Sequence, residues 1–134
     1  MKIQWVACAG VALTFGLLAQ AVLANEEQSN AAAKAVPLMT KDLPEFPGKE
    51  AAMLTVEYPP GASSKPHRHN SHVFVYVLEG SYATQVAGGE RVVLKAGDTF
   101  YELPTDEHVV SANASDTVPA RILVFMLKDK DAPK

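Results

Sequence analysis

Gly61-Ala-Ser-Ser-Lys-Pro-His67-Arg-His69, running on to Gly80, and Gly97-Asp98, running through Pro104 to His108, are the stretches that decide the fold. Side chains alternate along an extended chain, so His67 and His69, at i and i+2, leave it on one face. A third imidazole, His108, brought in from a distant strand, closes a facet of three nitrogens suited to a metal ion. Glycine and proline frame both stretches, which is what sharp reversals between short strands require.

Working outward, the chain from Ala51 on reads as short β-favouring runs separated by turn residues, the pattern of an all-β sandwich or barrel. Residues 53–58 form the first run, and Pro59-Pro60-Gly61 ends it by removing ladder donors and permitting a reversal. Residues 73–78 are apolar throughout, which predicts a strand covered on both faces, with Phe74 and Tyr76 in the core. Residues 82–86 and 91–94 flank Gly88-Gly89, a hairpin with glycines where positive φ is needed. A strand over 99–103, one starting near His108 and a strong apolar one over 120–127 complete the set. No long helix, internal repeat or low-complexity block is expected after Ala51.

The ends read differently. Lys2 and the apolar run that follows, closed by Val22-Leu23-Ala24, predict a signal peptide over residues 1–24, with an uncleaved membrane anchor as the other reading. The protein is then periplasmic or secreted and needs no membrane once the signal is removed. The only cysteine, Cys8, and the only tryptophan, Trp5, lie in that leader, so the remaining 110 residues form no disulfide and offer no thiolate. That length suits one domain. A net charge of −3, one unit more negative without Lys2, excludes nucleic acid as an expected partner. Residues 25–50 read as an N-terminal arm, either a linker or, through 36–39, an edge or swapped strand; 51–128 as the barrel; and 129–134 as a frayed charged tail.

Taken together, Gly61, His67, His69 and Gly80, then Gly97-Asp98, Pro104, His108 and Asn113, resemble the two motifs of the cupin superfamily. The resemblance implies a single jelly-roll-like antiparallel β-barrel and a homodimer. It also implies one divalent transition metal (Fe, Mn, Zn, Ni or Cu) held in the barrel mouth by His67, His69 and His108. The chain departs from the pattern in two places. Val73 stands where the first motif usually carries a glutamate ligand. In the second motif Pro104 and Asn113 come one residue late, and the usual second glycine is missing from Thr105-Asp106-Glu107.

Three imidazoles without a carboxylate favour borderline transition ions over hard, oxygen-preferring ones. His72 and Glu102 are the candidates to replace the missing ligand, Glu102 by entering from the opposite wall; each is read first as a rim or supporting residue. Tyr101 is expected in the core or at the rim and Arg68 on the surface, while Asn113-Ala-Ser115 matches a glycosylation acceptor. No catalytic residue is assigned. The expected function is that of an exported metal-binding barrel, with metal-dependent chemistry (oxygenase, isomerase or lyase) on a small organic substrate as one reading of it. The alternatives are a non-catalytic module binding a small ligand or metal in the same mouth, and a structural domain with vestigial histidines.

Overall fold

A computed structural model describes residues 32–130 and 132 of the 134-residue chain; the expected leader lies outside the described residues. Eight strands are described: β1 (Lys34–Asp42), β2 (Lys49–Tyr58), β3 (His72–Glu79), β4 (Ser81–Val86), β5 (Val92–Lys95), β6 (Thr99–Glu102), β7 (His108–Asn113) and β8 (Ala120–Asp129). They form a five-stranded sheet in the order β1-β2-β8-β3-β6 and a three-stranded sheet in the order β5-β4-β7, with every pairing antiparallel. This is the all-β, jelly-roll-like architecture expected from the run of short strands and turns.

The core lies on the inner face of the larger sheet. β8 alternates, with Ala120, Ile122, Val124 and Met126 buried, and β3 contributes Val73, Val75 and Val77 from the same side. Each of these valine, isoleucine and methionine side chains contributes roughly 1.5–3 kcal/mol on leaving water. β2 pairs with β8 over ten residues without a slip, because one shifted residue would turn that whole set outward. At the far end of this ladder the cross-strand partners Glu50 and Lys128 form a buried ion pair, with Nζ 2.6 Å from Oε1.

β3 corrects one expectation. Its continuous apolar sequence predicted cover on both faces, yet only the valines are buried; Phe74 and Tyr76 are 45 % and 44 % exposed on the outer face. There Phe74 packs beside Tyr101 of β6 and Phe125 of β8, with ring centroids 5.0 and 6.0 Å away. Apolar composition cannot distinguish a doubly covered strand from one that carries aromatics outward.

The arm contains β1, an edge strand that pairs with β2 of its own chain and bulges between Pro37 and Met39, where proline lacks a ladder donor. Ala33, just before it, packs half-buried against the core, and Ala35 borders the mouth of the cavity. At the other end, Asp129 is still in β8, opposite Lys49 and ion-paired with it at 2.5 Å, and Lys130 reaches Asp42 at 2.7 Å. The segment between β2 and β3 runs along the free edge of β7: Ser63 and Ala112 form one bridge, His67 and His108 another, and Ser64 donates to the Ser111 carbonyl at 2.8 Å. That ribbon carries two of the three histidines.

Gly80, between β3 and β4, has φ +71°, and a β-carbon there would lie 2.3 Å from the Pro119 carbonyl oxygen and 2.9 Å from Ala120 Cα. Both neighbours are backbone and cannot swing aside. Gly88, in the hairpin between β4 and β5, has φ +79° and nothing within 4 Å of that position. Gly88→Ala is therefore expected to cost about 1–2 kcal/mol, the left-handed backbone penalty alone. Gly80→Ala adds a packing clash of roughly 1–3 kcal/mol to the same penalty. Urea unfolding of the two variants checks this; equal losses would show that the close approach at Gly80 is absent.

Candidate metal centre

His67 and His108 are backbone partners. The His67 amide donates to the His108 carbonyl at 3.1 Å, and the His108 amide donates to the His67 carbonyl at 2.8 Å. Directly opposed residues project from the same face, and His69, two positions on, follows them. The ring centroids of His67 and His69 stand 4.7 Å apart, and those of His67 and His108 5.4 Å apart.

His108 owes its inward direction to a β-bulge. Gln85 pairs with Val110 and Val86 with His108, so Val109 is an extra residue on β7. Counting back by twos from the buried Asn113 and Ser111 would turn Val109 inward and His108 out; the extra residue returns His108 to the buried side. Its ring stacks near Phe100, and its Nε2 faces Thr84 Oγ1 at 2.9 Å and Glu102 Oε1 at 3.3 Å.

Below the histidines lies a cavity of about 210 Å³. Its walls are mainly Val73, Val75, Ile122, Val124 and Met126. One side is polar: Ser111 Oγ is hydrogen-bonded to the Tyr58 and Tyr82 hydroxyls, both at 2.7 Å, and Tyr58 also reaches Ser64 at 3.1 Å. These hydroxyls satisfy one another, which is what allows them to be buried. Tyr58, Tyr82, Thr84 and Ser111 were not singled out from the sequence. The period-two pattern of 82 and 84 was the available signal, but alternation alone does not say which face lines a cavity.

Burial dominates the electrostatics. It pushes His69 and His108 down to about 4, and the neighbouring His67 pushes both the same way. Burial, with Asp106 second, pushes Glu102 up to about 7. The 3.3 Å contact between His108 and Glu102 is therefore not an ion pair at neutral pH, since desolvation disfavours the charged form of each partner.

The other residues singled out from the sequence divide clearly. Glu102 is buried at the cavity, but from β6, beside β3 in the same sheet and not from the opposite wall. His72 is turned to the outer face, where its Nδ1 is 2.6 Å from the Tyr101 hydroxyl; Tyr101 is 44 % exposed and Arg68 is exposed. Asn113 is a buried clamp. Its Nδ2 donates to the carbonyls of Tyr58, Pro59 and Val118, and its Oδ1 accepts from the Ser115 amide, which removes it as a surface sugar acceptor.

The donors fit a transition metal by their chemistry. His69 and His108 are neutral at pH 7, so a nitrogen lone pair is available on each. His67 Nδ1 lies 2.7 Å from the Lys65 carbonyl, a contact that holds the proton on Nδ1 and leaves Nε2 as the donor atom, the arrangement usual for ligating histidines. Among the described residues, no group of three or more His, Cys, Asp or Glu side chains is closed around a single point as a finished metal site. Thr84 and Glu102 engage His108 Nε2 instead.

A family model described as "Cupin domain" matches residues 54–126. The chain belongs to the cupin family. Cupins commonly bind a transition metal. Among solved structures, the cupin resembles the TT1209 protein of Thermus thermophilus (21 % identity, TM-score 0.58, covering 72 % of this chain and 84 % of that one). It also resembles a Klebsiella pneumoniae protein with a double-stranded β-helix domain (20 %, TM-score 0.60, 78 % and 84 %). A third likeness is to oxalate oxidase in complex with glycolate (22 %, TM-score 0.59, 75 % and 53 %). These likenesses establish the fold. No curated protein matches this cupin.

The opposed shifts give the metal-free cupin a stability maximum. His69 and His108 titrate near 4 in the fold against an ordinary 6.5, so the unfolded chain binds more protons between these values and stability falls as pH drops through that window. Glu102 titrates near 7 against 4.5, so the fold binds the extra proton and stability falls as pH rises through about 7. Two histidines outweigh one carboxyl below pH 6.5. Urea midpoints of chelator-treated protein should peak near pH 6.5, and Glu102→Gln, which cannot titrate, should steepen the rise from pH 4.5 to 6.5; an unchanged slope would contradict the buried carboxyl.

Proposed function

We propose that this chain is an exported cupin that binds one divalent transition metal through His67, His69 and His108 and takes a small organic ligand in the cavity beneath them. The observation that carries this reading is the grouping of three imidazoles, at 4.7 and 5.4 Å between ring centroids, over a partly open, mostly apolar cavity. Such cavities take small ligands through apolar walls and a few fixed polar groups. The Tyr58–Ser111–Tyr82 hydroxyls are the groups that would receive an oxygen function on such a ligand. The bound ion would supply Lewis-acid or redox chemistry, depending on its identity. Export rests on the apolar leader of residues 1–24. The homodimer belongs to the same proposal, and sedimentation as a monomer at micromolar concentration would count against it.

Catalysis is the finer version of this reading. The fold hosts enzymes, among them the oxalate oxidase above and a DMSP lyase from Ruegeria pomeroyi DSS-3 (20 % identity, TM-score 0.56, covering 62 % of this chain and 41 % of that one). The non-catalytic version keeps the same cavity and ion without turnover.

Protein purified from its native compartment should contain about one transition-metal ion per chain. At 100 times the dissociation constant, that ion should raise stability by about 2.7 kcal/mol. His67→Ala or His108→Ala should weaken binding by about 100-fold or more, beyond the loss usual for a supporting residue. Metal analysis and unfolding before and after chelation check this. Absence of stoichiometric metal together with unchanged stability would sink the metal reading. A ligand that still binds both alanine variants with full affinity would separate the cavity from the ion.

A further inference from the structure

We propose that Glu102 is the carboxylate ligand of this metal centre, carried on β6 directly across from the position, Val73, where a carboxylate is missing on β3. The inference rests on the metal reading above and extends it from three donors to four.

Strand register places the two residues. Val73 and Glu102 are direct partners in the antiparallel β3–β6 pair, and such partners hold their β-carbons about 4.5–5.5 Å apart on one face. Both are buried, at 1 % and 3 % exposure, and both line the cavity that the three histidines border. Their neighbours His72 and Tyr101 take the opposite face and bond each other there, so His72 cannot supply the missing donor. The carboxyl is also within reach, with Oε1 3.3 Å from His108 Nε2.

Charge gives the second argument. A buried carboxylate needs a compensating cation or a full set of donors. Among the described residues, no lysine or arginine lies within ion-pair distance of Glu102, and its charged-group contact is the imidazole of His108. A divalent ion among the histidines would supply the missing positive charge. In return, one anionic oxygen widens the choice of ion toward manganese and iron, which an all-imidazole set favours less.

The test compares the wild type with three variants of the full chain, using Mn²⁺ and Co²⁺ as probes. Calorimetric titration reads affinity, the visible spectrum of the cobalt form reads the donor set, and circular dichroism confirms folding. Glu102→Gln, which keeps the shape and removes the anionic oxygen, should weaken Mn²⁺ binding by about 100-fold or more and change the cobalt spectrum. The double variant Val73→Glu/Glu102→Val returns the carboxylate to β3 and should recover most of that loss. A folded Glu102→Gln with wild-type affinity and spectrum, beside a His67→Ala that binds neither ion, would overturn the role of Glu102 and leave the histidine site standing. If the wild type binds neither ion, or His67→Ala binds both as well as wild type, the metal reading fails and Glu102 falls with it.

Discussion

The reciprocal pair of backbone hydrogen bonds between His67 and His108, at 3.1 and 2.8 Å, is the contact on which the site depends. It joins an irregular ribbon to the edge of the smaller sheet, so two residues 41 positions apart become neighbours on one face. A ribbon of this kind, rich in proline and serine, has little hydrophobic drive to hold a position. Its place comes from satisfying the exposed edge of β7, where the Ser64 amide also donates to the Ser111 carbonyl and the Asn113 amide to the Ala62 carbonyl. Losing that edge pairing would cost two imidazoles their position while leaving the larger sheet and its valine core in place.

Burial then sets the chemistry. Water is scarce around His69, His108 and Glu102, so burial disfavours the charged form of each and the contact between His108 and Glu102 is not an ion pair at neutral pH. On the proposed reading, the nitrogens of His69 and His108 and the carboxyl of Glu102 would receive a cation. The same scarcity of water forces Tyr58, Tyr82 and Ser111 to bond one another, so the cavity keeps a polar side without leaving orphaned hydroxyls.

Much of this was legible in residue order. The glycine and proline frames marked the strands, and the His67-Arg-His69 spacing put two imidazoles on one face whatever the fold, because alternation in a strand is a local property. β3 shows the limit. Its six apolar residues looked doubly covered, but sequence order does not say whether a second layer exists to cover Phe74 and Tyr76, which stand exposed. Asn113 shows the same limit from the polar side: a three-residue match to a glycosylation site is in fact a buried clamp holding two turns.

The sequence by itself determined the all-β class and the family, and it picked out the three histidines that the fold brings together, since these follow from local spacing and turn chemistry. Tertiary structure alone decided three things. The bulge at Val109 turns His108 inward against the alternation of the rest of β7. The β3–β6 register sets Glu102 opposite Val73, and the outer face claims His72 for Tyr101. The physical reason is common to all three: direction across a sheet depends on pairing with a distant strand, and a one-residue change in that pairing reverses every side chain, which no local pattern records.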